Sequence, residues 1–242
     1  MYSITVPAEK PYSIQIGTFL LEKTGHILAT HCKENMALIL CDKEAQTLFG
    51  SIILKALEDS GIHSQLVALN EWDSDITTEV LLGTILEALP KDRANPILIG
   101  LGDKPLCDAL RTYASHNPES APPLTYALIP TTLAAMVASS VSKGCAPRAV
   151  LADIGCLATQ TKERFEEDAR LIVSFASTHD EELGRALAQT PLTLETLMHN
   201  VPYVASVVAR VVSRQASSWS LEPKANESLT RASLAQSRIY NE

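Results

Sequence analysis

Pro96-Ile97-Leu98-Ile99-Gly100-Leu101-Gly102-Asp103 is the stretch whose reading decides the fold. Its apolar run shows no polar alternation, so both faces of the strand must be covered, as in a central parallel strand. Two glycines and an acid follow, a composition suited to a tight turn that opens a helix. Two other runs read the same way, Ala37-Leu38-Ile39-Leu40-Cys41 and Tyr126-Ala127-Leu128-Ile129. Around them lie strand patterns at Ser3–Val6, Ser13–Gly17, Gln65–Leu69 and Ala149–Ile154. Between these, Glu44–Ser60, Thr77–Leu89, Asp103–Ser115 and Thr132–Ser142 carry a helical period. Strands alternating with helices imply parallel pairing through right-handed crossovers, hence an α/β fold with a Rossmann-like, largely parallel sheet.

After Ile154 the strand signals stop. Lys162–Ala176 and Asp180–Ala188 read as helices, and Leu194–Arg214 places Leu194, Leu197, Met198, Val201, Val204, Ala205, Val208, Val211 and Val212 on one face, with a kink expected at Pro202. The reading is thus a sheet domain over 1–154, a helical segment over 155–215 and a disordered, Ser-, Asn- and Gln-rich tail over 216–242.

The 242 residues carry 20 Lys and Arg against 28 Asp and Glu, a net charge of −8. That balance disfavours nucleic-acid and anionic-membrane partners, which need clustered cations. No run approaches the ~18 apolar residues of a membrane span, and the N-terminus lacks a basic, then apolar, secretory leader. Five cysteines (Cys32, Cys41, Cys107, Cys145, Cys156), none in a C-x-x-C pair, read as reduced thiols. The expectation is a cytoplasmic globular protein.

In a parallel sheet, ligands collect where strands end and helices begin. The Gly100–Asp103 turn is one such place: its glycines let backbone approach a phosphate, or Asp103 simply caps the following helix. Ile129-Pro130-Thr131-Thr132-Leu133 is another, where Thr131 or Thr132 either caps a helix or bonds a cofactor.

These residues resemble the sugar-phosphate cyclases, and 3-dehydroquinate synthase in particular. The opening Ser3–Val6 and Pro11–Gly17 look like that family's first hairpin, and Gly100–Gly102 like its glycine-rich nucleotide turn. Pro130-Thr131-Thr132-Leu133-Ala134 with Ser139-Ser140-Val141 looks like its P-T-T-L-L-A and D-S-S-V-G-G-K block, and Pro147–Asp153 like the P-x-x-V-x-x-D strand that follows. The resemblance covers residues 2–165, and more weakly the helices to Arg214. It implies a NAD-binding sheet domain, a shortened helical C-terminal segment, and a cofactor set of Gly100, Gly102, Thr131, Thr132, Ser139 and Lys143. It also implies a partner of the same family, either a second copy or a full-length relative.

The departures bear on chemistry. Leu101 interrupts the family's triple glycine, which puts its side chain where backbone should approach a pyrophosphate. The G-E-x-x-K motif would fall near Glu71–Asp75, with Trp72 for its Glu and Asp75 for its Lys. Ala138 replaces the acid of D-S-S-V, and G-G-K is blurred to Ser142-Lys143-Gly144. The metal-binding Glu becomes Ile172 and the Lys after it Phe175, when aligned from Arg164. Glu166, Glu167 and Asp168 stand nearby, as a solvated acidic face or as shifted ligands. The L-N-F-G-H-T…H block is absent, the chain ending before its place, and His179 and His199 read as surface or packing residues. No lysine occurs between Lys162 and Lys224. A divalent metal is therefore not expected. The resulting expectation is a truncated, degenerate relative without the cyclase reaction, with a binding or regulatory role. The alternatives are an active NAD-dependent cyclase with a rearranged site and a NAD sensor without turnover.

Overall fold

A computed structural model describes residues 1–8, 10–30, 36–69, 83, 96–116, 125–141 and 145–221. Its strands are β1 (Tyr2–Val6), β2 (Tyr12–Gly17), β3 (Met36–Asp42), β4 (His63–Leu69), β5 (Ile97–Gly102), β6 (Tyr126–Pro130) and β7 (Ala149–Asp153). They form one sheet in the order β1-β2-β7-β6-β5-β3-β4, parallel except for the β1–β2 hairpin. Each strand foreseen from the sequence is present. The reason is visible in β5, β6 and β7, where every residue is buried because helices cover both faces.

The helices are α1 (Thr24–Ala29), α2 (Lys43–Glu58), α3 (Lys104–His116), α4 (Leu133–Ala138), α5 (Lys162–His179), α6 (Glu181–Gln189), α7 (Leu194–His199) and α8 (Val201–Leu221), with a 3-10 turn at Ile154–Thr159. α1 and the 3-10 turn escaped the sequence reading because six residues are too few to display a period. The helix expected over Thr132–Ser142 stops at Ala138. The one expected over Thr77–Leu89 lies outside the described residues, as do Glu71–Asp75.

The kink expected at Pro202 is instead a break. Asn200 caps the new helix through its side chain, accepting from the Tyr203 N–H at 3.1 Å. Pro202 falls in the first turn of α8, where a missing N–H costs nothing. The break re-aims α7, so Met198, expected on the buried face, is 64% exposed. α8 also runs past the start of the expected tail: Ala216 is buried, and residues 222–242 lie outside the described ones.

α8 packs on β1 and β2, and a continuous apolar core extends from Val6 to Ala216 through sheet and helices alike. Asp153, buried at the end of β7, accepts from the backbone N–H groups of Leu20 (2.6 Å), Leu21 (3.1 Å) and Gly155 (2.9 Å), tying the loop after β2 to the sheet. No helix among the described residues is long and apolar enough to cross a membrane.

Candidate functional site

The chain reverses its winding between β3 and β5. From β3 it moves outward through α2 to β4, and from β5 it moves the other way through α3 to β6. A crevice opens at such a switch point, beyond the carboxyl ends of the strands. Here it is a cleft of ≈ 470 Å³, whose floor and walls include Asp42 from β3, Leu69 from β4, Asp103 after β5, Thr131 and Thr132 after β6, and Gln160 and Arg164 from beyond β7.

Four helix N-termini border this cleft, and each is capped by a side chain; at α5, Thr161 Oγ1 accepts from the Arg164 N–H at 3.3 Å. At α2, Asp42 Oδ1 accepts from the Ala45 N–H at 2.6 Å. At α3, Asp103 Oδ1 accepts from the Lys104 N–H at 2.6 Å, and the next residue, Pro105, has no N–H. The same carboxylate accepts from Thr132 Oγ1 at 2.5 Å and from Arg164 Nη2 at 2.9 Å. At α4, the Leu133 N–H donates to Gln160 Oε1 (3.1 Å), the Ala134 N–H to Asp168 Oδ2 (3.1 Å) and the Ala135 N–H to Thr132 Oγ1 (3.2 Å). The first three N–H groups of α4 are thereby engaged, and one first-turn N–H each at α2 and α3, which takes donors away from any anion at these helix ends.

Asp168 is the keystone of the α4 cap. It is only 3% exposed and also accepts from Gln160 Nε2 at 3.0 Å, with Arg164 Nε at 3.3 Å. Burial holds its carboxyl above the usual range; the bonds from Gln160 and Ala134 and the Arg164 charge act the other way. The acidic run Glu166-Glu167-Asp168 is thus not a uniform solvated face: Asp168 shares the buried side of α5 with Phe165, Ala169 and Ile172.

The expected cofactor residues do not come together. Thr131 and Thr132 line the cleft. Gly100 and Gly102 are buried within β5, and their missing side chains serve packing. A Cβ on Gly100 would stand 3.0 Å from Leu110 of α3, and one on Gly102 would stand 3.0 Å from Leu106 and 3.2 Å from Asp42 Oδ2. Leu101, expected to project where a phosphate would approach, instead points into the core, since strand alternation sends it away from the face of Gly100 and Gly102. Ser139 is not at the cleft. It follows α4, buried, with its hydroxyl donating to Asp108 Oδ1 at 3.0 Å and its carbonyl accepting from Arg111. Lys143 lies outside the described residues. Asp42, Gln160 and Arg164 were missed. An acid closing an apolar strand three residues before a buried Ala45 was the available signal for Asp42; nothing local announces the other two.

In the helical segment, Ile172 is buried in the core, and Phe175 stacks on His179 with ring centroids 4.8 Å apart. Among the described residues no three His, Cys, Asp or Glu side chains are grouped so as to hold a metal ion.

No family model matches the sequence. Curated proteins do. A 3-dehydroquinate synthase of Laribacter hongkongensis is 29% identical over 171 residues, 64% of this chain and 46% of its own. One from Enterococcus faecalis is 26% identical over 214 residues, covering 81% and 58%. The chain is a distant relative of the 3-dehydroquinate synthases. It spans about half the length of the synthases it matches. Solved structures give the same fold. A 2-epi-5-epi-valiolone synthase from Streptomyces hygroscopicus subsp. jinggangensis, with NAD+ and Zn2+ bound, superposes with a TM-score of 0.69 at 19% identity, over 90% of this chain and 64% of that one. A 2-deoxy-scyllo-inosose synthase complexed with carbaglucose-6-phosphate, NAD+ and Co2+ gives 0.66 at 10% identity, over 89% and 63%. An iron-containing alcohol dehydrogenase from Thermotoga maritima gives 0.61 at 14% identity, over 89% and 68%.

Proposed function

We propose that this chain does not perform the dehydroquinate synthase reaction and acts as a binding protein built on the synthase fold. The observation that carries this reading is the engagement of first-turn N–H groups at α2 and α3, and of the first three at α4, by the chain's own side chains. A dinucleotide brings a pyrophosphate, which needs unengaged N–H groups or cations where the strands end. At α3 those groups face the Asp103 carboxylate and Pro105, and at α4 they face Thr132, Gln160 and Asp168. Arg164, a cation of the cleft, lies between Asp103 and Asp168. The residues present therefore do not fit the pyrophosphate of NAD. Ile172 and Phe175 at the positions aligned with the family's metal-site Glu and Lys support the same reading, since neither side chain can ligate a cation.

The test is an assay of the purified chain with the seven-carbon sugar phosphate, NAD+ and Zn2+, beside the Enterococcus faecalis synthase as positive control. The expected result is no dehydroquinate above background. Metal-dependent turnover by the chain overturns the proposal. The partner belongs to the same proposal: a second copy of the chain or a full-length relative, read by light scattering of the chain alone and mixed with a complete synthase.

A further inference from the structure

We draw no further inference here: the strongest candidate, the exposed apolar surface of Met1 and Tyr2 at the start of the edge strand β1 and of Phe19 in the loop after β2, carries none because nothing in the structure shows what covers it.

Discussion

Replacing Asp168 by alanine removes the group that joins α4, α5 and Gln160. Two donors lose their acceptor, the Ala134 N–H and Gln160 Nε2. A buried donor left unsatisfied costs about 1–3 kcal/mol, but Gln160 lines the cleft and can turn to water, so the Ala134 N–H carries most of the penalty. Losing the contact with half-exposed Arg164 adds less than about 1 kcal/mol, and relief of the buried charge offsets part of the total. The expected destabilisation is about 2–3 kcal/mol, measured by urea unfolding followed by circular dichroism. Asp168→Asn keeps one acceptor oxygen and is expected to cost roughly half as much. The pH dependence follows from the raised carboxyl. A proton binds the folded state more tightly than the unfolded one, so this contribution is full below about pH 4 and fades as pH rises through the raised value. The gap between wild type and Asp168→Asn should therefore widen from pH 7 to pH 4. A loss under about 1 kcal/mol for Asp168→Ala, or equal losses for the two variants, would refute the reasoning.

Asp180 titrates in the opposite sense: Arg210, bonded through two nitrogens at 2.7 Å each, and the Leu183 N–H hold its carboxyl down to about 2. Its contribution is present above about pH 4 and lost as pH falls towards 2; with Arg210 partly exposed, on the order of 1–2 kcal/mol should separate the acid unfolding of wild type from that of Asp180→Asn. Gly100→Ala presses a methyl against Leu110, at 3.0 Å, and Leu128, at 3.4 Å, and is expected to lower stability by about 1–3 kcal/mol in urea. Gly25→Ala places its Cβ into the Ala56 carbonyl oxygen, a backbone atom that cannot step aside, and is expected to give no soluble folded protein on expression. Burial pushes the Cys41 thiol up to about 12 and the Cys107 and Cys156 thiols higher, so at pH 8 a disulfide reagent should label none of the three in the native protein and all three in urea.

The central strands were legible because burial on both faces leaves an apolar run too short for a helix and bounded by turn residues, as in Ile97–Leu101, while the partly exposed β1 and β4 at the sheet edges lack such a run. The cleft was legible only where it is local. Thr131 and Thr132 end a strand and begin a helix, and their sequence says so. Gln160, Arg164 and Asp168 reach the site from the far side of β7, and only the folding of α5 onto α4 brings them there. Asp168 was also hidden by its neighbours Glu166 and Glu167, although its spacing from Phe165 and Ile172 marks the buried stripe. Ser139 was misplaced because a six-residue helix carries it away from the strand end that its motif follows.

The arrangement of the first hairpin has a consequence for the order of synthesis. β2 enters the sheet only through β7, and the helix packed on β1 and β2 is α8. Residues 2–17 thus leave the ribosome long before residues 149–153 and 201–216 exist to receive them. A hairpin in that position waits as an unpaired, partly apolar ribbon, and its docking is a late event governed by long-range closure rather than by local propensity. Nascent chains arrested before Val201 should accordingly leave the hairpin open to protease, while chains extended beyond Ala216 protect it.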